Sequence, residues 1–428
     1  MKNEANNEET GLHRRLGLFA TTLAGVGVIL GAGIYVLVGV AAKQAGNAVW
    51  LSFLFAAIVA GFTGISYARL SRVRPKNAPE FQYLNLAFGR TPAFLAGWLI
   101  IWATVISTAA VALGFGGYME HLFGVNGLWG AIGLIVISSL IVFLGVGQSA
   151  LLAGILTGVE AIGLIIIIAI GVPSLGDVNL LETSTGFMGV VGAASLVFFA
   201  YLGFEGMANL SEEMKNPARD LPKAMLLSLG IGTFFYILVS IAAVSVMGWE
   251  NLSQSSAPLA AVAAKALGDK ADLVLTWIAL ASTANTVLLL LFASSRALWA
   301  MSCAGVLPMG LCVIGTKRRT PWLAIIIVGS ITVAFSLIRS IENIAEFTNF
   351  AVLLAFAGVN IAAIKLFARD NPGRRSKHFW LDIFLPAMGV LTSLGLAVTL
   401  GWQAALFGAA LLASGIIIYL IMKRYLPG

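Results

Sequence analysis

Charge is what this 428-residue sequence has least of: 11% of its residues are Asp, Glu, Lys or Arg, against about 25% in an ordinary soluble domain. That scarcity excludes a fold with a water-covered surface. Only two cysteines and three histidines occur. His13, His121 and His378 all lie outside the apolar stretches, and Cys303 and Cys312 have no His/Cys ligand spacing around them. A metal cluster and a histidine-based intramembrane active site are therefore excluded. The two cysteines are read as reduced structural thiols.

In place of charge, 59% of the chain is hydrophobic, gathered into runs long enough to cross a hydrocarbon core of about 30 Å at 1.5 Å per residue. Spans are placed at 17–42, 48–68, 93–118, 128–146, 151–172, 186–211, 225–248, 273–300, 322–338, 347–366, 383–401 and 404–422. Continuous runs rich in Gly and Ala fit packed helices, whereas a membrane barrel needs short alternating strands. The expected class is an all-α integral membrane protein of twelve transmembrane helices.

The net charge of +7 is a topology signal. Of the 26 Lys and Arg, 22 fall on one face, from Arg14 and Arg15 through Arg69, Arg219 and Lys377 to Lys423. Lys43, Lys265, Lys270 and Arg339 alone fall on the other. By the positive-inside rule both termini are cytoplasmic, in a multi-pass protein of the plasma or inner membrane. Basic clusters explained in this way imply no nucleic-acid partner. The organisation is a tail at 1–16, a bundle at 17–367, a basic connector at 368–382, two further helices at 383–422 and a tail at 423–428.

Span one carries Gly25-Val-Gly27-Val28-Ile-Leu-Gly31-Ala32-Gly33, and span six, five helices later, carries Tyr201-Leu202-Gly203-Phe204-Glu205-Gly206. Paired glycine interruptions in corresponding helices point to an inverted-repeat transporter, although glycines also serve close helix packing. Of nineteen acidic residues, only Glu160 and Glu205 fall inside the spans. An acid at mid-membrane costs roughly 2.5 to 3.5 kcal/mol, so it needs a partner or a watery cavity. Each is a functional candidate. The bland alternatives are a permanently neutral acid for Glu160, and a carboxylate satisfying loosened backbone for Glu205.

The run Phe198-Phe199-Ala-Tyr201-Leu-Gly203-Phe-Glu205, continued by Lys215-Asn216-Pro217-Ala-Arg219, resembles the sixth-span signature of the amino acid-polyamine-organocation (APC) superfamily. Gly31-Ala-Gly33-Ile34-Tyr35 is similar to its first-span motif, and Ser282-Thr283-Ala-Asn285 with Ser295-Arg296 to its eighth span. The resemblance implies a leucine-transporter-type 5+5 inverted repeat with helices 1 and 6 broken, and transport by alternating access. Backbone N–H groups at Ala32 and Gly33, beside Gly31, would hold a carboxylate, and carbonyls of Val28, Phe199 and Leu202 an ammonium. Gly203 belongs to the same cradle. Thr104, Val105, Thr108, Phe199, Tyr201 and Phe204 would surround the substrate side chain.

Three departures from the pattern stand out: Ala78-Pro79 before Glu80, Arg69 where many relatives carry glutamate, and Glu160 where many carry lysine. That lysine is thought to replace a sodium ion near positions matching Gly27, Ser282 and Thr283. A carboxylate facing carbonyls must be protonated or share a cation. Glu160 is therefore expected to couple H⁺ or Na⁺, with Glu205, Gly27, Ser282 and Thr283 as its associates and a possible Na⁺ near them. The expected substrate is an uncharged small or apolar amino acid, with no cofactor and no heavy-chain subunit. A polyamine transporter, an amino-acid exchanger and a channel are the competing readings.

Overall fold

The computed structural model describes residues 16–73, 79–145, 150–303, 305–315, 320–370 and 379–425. The N-terminal tail as far as residue 15, the basic residues Arg74, Lys76 and Lys317 to Arg319, most of the connector (371–378) and the last three residues lie outside it. Among the described residues the structure is helical and has no strand; one isolated bridge joins Leu16 to Met214.

The first span is two helices, α1 (Leu18–Leu30) and α2 (Ala32–Ala45), interrupted at Gly31. Then come α3 (Val49–Val73), the short α4 (Pro79–Phe88), and α5 (Arg90–Phe123). Next are α6 (Gly127–Leu144), α7 (Ala150–Gly171) and α8 (Phe187–Val197), the last dissolving into tight turns at Phe198–Tyr201 and Glu205–Glu213. The long α9 (Pro217–Met247) leads through α10 (Trp249–Gln254) and α11 (Pro258–Leu267) to α12 (Asp269–Cys303). The chain ends with α13 (Trp322–Ser336), α14 (Ile341–Asp370), α15 (Leu385–Thr399) and α16 (Gly401–Tyr425).

Among the described residues ten helical stretches are long and apolar enough to cross a membrane; one of them, Leu18–Arg72, runs through α1 to α3, and the 15-residue α13 falls short of that length. Several boundaries differ from expectation. α9 starts at Pro217, eight residues before the expected 225, and α14 starts at Ile341, six before the expected 347, so Glu342 and Glu346 both ride on an apolar helix. The expected eleventh span begins at Trp380, inside the expected connector, where Asp382 is neutralised by Arg69 of α3, whose guanidinium also lies 4.3 Å from the Phe367 ring centroid.

Cys303 and Cys312 are disulfide-bonded, with Cα atoms 4.9 Å apart. This corrects the expectation of reduced thiols. The turn through Gly305 to Pro308 folds the chain back on α12, bringing within disulfide range two residues that are nine apart in sequence.

Helix breaks free backbone groups that lipid cannot satisfy. Here side chains take them. Asn349 of α14 donates through Nδ2 to the carbonyls of Ser195 (2.7 Å) and Leu196 (2.9 Å), where α8 loosens. The Tyr236 hydroxyl of α9 donates to the Ala200 carbonyl at 2.8 Å and also contacts that of Ile29, so one phenol touches both breaks.

Candidate functional site

The two interruptions meet. Gly203 has φ +112°, a conformation L side chains rarely adopt, and a Cβ there would lie 2.3 Å from the Val28 Cγ1 of the other break. Glycine is required on both counts. Between the breaks lies a cavity of about 440 Å³, walled also by α5 and α12.

Of the residues expected at the substrate, Val28, Gly31, Ala32, Gly33, Thr104, Phe199, Leu202 and Gly203 line this cavity. Four others do not. Tyr201 is buried and donates to the Phe53 carbonyl at 3.0 Å. Phe204 is packed between Tyr67 and Phe356, ring centroids 5.7 and 5.5 Å away. Thr108 is buried and donates to the Thr104 carbonyl at 2.7 Å. Val105, one residue after Thr104, faces a second, smaller cavity. The reason is helical periodicity: on α5, position 107 shares the face of 104, whereas 105 is turned about 100° away.

Ser107, Asn285, Thr286 and Glu80 also line the cavity and were missed as site residues. Ser107 was legible as three residues after Thr104, and Thr286, which donates to the Ser282 carbonyl at 3.0 Å, as four after Ser282. Glu80 had no such signal: it comes from α4, outside the apolar stretches.

The cradle is electrically asymmetric. No side chain caps the first N–H groups of α2, which begin at Ala32, and the Gly31–Gly33 segment borders the cavity. Such a terminus attracts anions. Of the carbonyls expected to face an ammonium, that of Phe199 accepts the Leu202 N–H at 3.2 Å, leaving its second lone pair. Among the described residues the cavity wall includes two acids, Glu80 and Glu205, and no Lys, Arg or His. Glu205 accepts the Gly203 N–H at 2.9 Å, within its own break. Glu80 is buried and accepts from the Tyr67 hydroxyl at 2.8 Å. Burial raises its pKa above the ordinary carboxylate value, opposed by hydrogen bonds from its backbone and from Tyr67.

Glu160 lies behind the cavity wall. It is 1% exposed, and neither carboxyl oxygen has a hydrogen-bond partner of ordinary geometry. The nearby Ser282 hydroxyl, also buried, is close enough to interact with the carboxyl but has no such partner either. Thr283 donates to the Ala279 carbonyl at 2.7 Å in its own helix. One turn before Glu160, the Thr157 hydroxyl occupies the space a Cβ on Gly27 would need, 2.1 Å away. Gly27, Glu160 and Ser282 are thus drawn from α1, α7 and α12 to one region. Among the described residues no group of three or more His, Cys, Asp or Glu could hold a metal ion.

A family model described as amino acid permease matches residues 16–422. The chain belongs to the amino acid permease family, within the APC superfamily. This permease is 27% identical to the branched-chain amino acid permease BcaP of Bacillus subtilis (strain 168), over 98% of the chain and 95% of that relative. It is 28% identical to the methylthioribose transporter of the same organism, over 98% and 95%. It is 29% identical to cationic amino acid transporter 4 of Homo sapiens, over 86% of this chain and 62% of that one.

Proposed function

We propose that this permease carries uncharged, small or apolar amino acids across the cell membrane by alternating access, coupled to H⁺ or Na⁺ through Glu160. The observation that carries this reading is the meeting of both helix breaks in one cavity, where uncapped N–H groups of α2 face the carbonyl side of the second break. A zwitterion is complementary to that pair of poles. The remaining cavity surface is contributed mainly by residues such as Ile101, Val111, Phe199 and Leu289, which suit an apolar side chain. BcaP, by its name a permease of branched-chain amino acids, agrees with it.

In this reading the chain crosses twelve times with both termini cytoplasmic. Residues 17–367 form the 5+5 repeat and 383–422 a peripheral pair. Glu160 takes a proton, or shares Na⁺ with Ser282, Thr283 and the Gly27 carbonyl. The burial of the Glu160 carboxyl beside the Ser282 hydroxyl supports this, since a buried carboxylate is costly unless it is protonated or shares a cation. Proton coupling is the preferred form.

Uptake of radiolabelled L-leucine and L-alanine into liposomes under imposed pH or sodium gradients tests it. Glu160→Gln should abolish gradient-driven accumulation while counterflow persists. Unchanged accumulation would remove Glu160 from coupling.

The two acids on the cavity wall favour a second reading, an amine or polyamine substrate held by Glu205. Uptake of radiolabelled putrescine that amino acids do not inhibit would select it.

A further inference from the structure

A second cavity, of about 240 Å³, lies between α5, α12, α13 and α16. Its wall includes Trp98, Ile101, Ile331 and Ile418, and also Leu307 and Pro308 from the hairpin that the Cys303–Cys312 bond closes. Among the described residues no charged side chain lines it. The indole N–H of Trp98 is already engaged by the Leu411 carbonyl at 3.1 Å and the Ser414 hydroxyl at 3.3 Å. A water molecule needs two to four polar partners, and this wall offers none. A helix from a protein partner is about 10 Å across, too wide for the space.

The cavity is continuous with surface that must already meet lipid. Ile326 of α13 and Ile417 of α16, each next to a lining residue in sequence, are exposed on predominantly apolar helices. Five residues beyond Ile418, about 7.5 Å along α16 and roughly 140° round it, the exposed Lys423 supplies a positive charge that its long side chain can carry toward a headgroup. Ile101 lines this cavity and the larger one alike.

We propose that this cavity holds an acyl chain of a bilayer phospholipid, with an anionic headgroup near Lys423, and that the chain braces the Ile101 wall of the larger cavity. The lipid site stands without the transport reading; only the bracing of a substrate wall rests on it.

The test uses the full-length protein in nanodiscs of phosphatidylcholine doped with phosphatidylglycerol that carries a diazirine in its acyl chain. Irradiation should label peptides of α5 and α13 that line the cavity. Ile331→Trp, which fills the space, should cut that labelling by about tenfold, equivalent to roughly 1.4 kcal/mol. Ile326→Trp, on the outer flank of the same helix, should leave it unchanged. Lys423→Gln should lower labelling by phosphatidylglycerol but not by a phosphatidylcholine carrying the same diazirine.

Equal labelling in both tryptophan variants, labelling spread evenly over all lipid-facing helices, or cross-linking to a second copy of the chain would overturn the proposal. Should Ile331→Trp not fold, Ile418→Trp fills the cavity from the α16 side and is read in the same way. In liposomes, Ile331→Trp should alter the KM for leucine while Ile326→Trp does not. A wild type that moves no amino acid would refute the transport reading and leave the labelling result intact.

Discussion

The hydroxyl of Tyr35 donates to the main-chain carbonyl of Glu160 at 3.0 Å. That bond ties α2, the half-helix whose N-terminus faces the larger cavity, to the turn of α7 that carries the buried acid. Tyr35 is itself held from the other side, since Tyr118 donates to its carbonyl at 2.9 Å. A change at Glu160 therefore has a direct mechanical route to the cradle.

Tyr35→Phe should keep the packing and lose this one bond. The expected cost is about 1 kcal/mol, seen as a lower thermal midpoint, together with a changed dependence of leucine uptake on the imposed ion gradient. A variant with the lower midpoint but an unaltered ion dependence would mean that the bond is only structural.

Gly203→Ala should be far more damaging than a Gly→Ala change at a site with open space. Its φ of +112° is strained for alanine, and the Cβ would meet Val28 Cγ1 at 2.3 Å. A loss above about 1 kcal/mol is expected from the backbone alone, with uptake abolished. Gly154→Ala, at a site with open space, serves as the control in the same assay.

Glu80 should leave a pH signature on stability. Its folded-state pKa is raised by burial, above the free glutamate value of about 4.3. The folded protein therefore keeps a proton that the unfolded chain releases, and the associated stability is lost as pH rises from the free value through the raised one. Glu80→Gln should flatten that decline in thermal-unfolding measurements across the acid-to-neutral range. An equally steep decline in the variant would show that Glu80 is not its source.

Cys303 and Cys312 should resist alkylation in the purified, unreduced protein and take up two equivalents of N-ethylmaleimide after reduction, because the structure joins them. Labelling before reduction would return them to the free thiols expected from sequence.

The family and the helical membrane class were legible in the sequence because both are written locally. Runs of about twenty apolar residues, and motifs such as Gly31-Ala-Gly33 and Phe199-Ala-Tyr201-Leu-Gly203, need no tertiary knowledge to be seen. The glycines marked where the helices break, since only a residue without Cβ lets Gly203 lie against Val28.

What faces the cavity was another matter. Tyr201 and Phe204 belong to the sixth-span motif, but one is tied to Phe53 and the other is stacked against Tyr67 and Phe356. A broken helix has no single period from which a face can be read. Glu80 reached the cavity from α4, a segment the hydropathy pattern marks only as a loop. Sequence by itself determined the membrane class, the family and the positions of the breaks, because hydropathy and backbone permissiveness are properties of individual residues and short runs. Tertiary structure alone decided which side chains meet at the breaks, that Glu160 is buried beside Ser282, and that Cys303 reaches Cys312. Those outcomes depend on how helices far apart in the chain rotate and pack against one another.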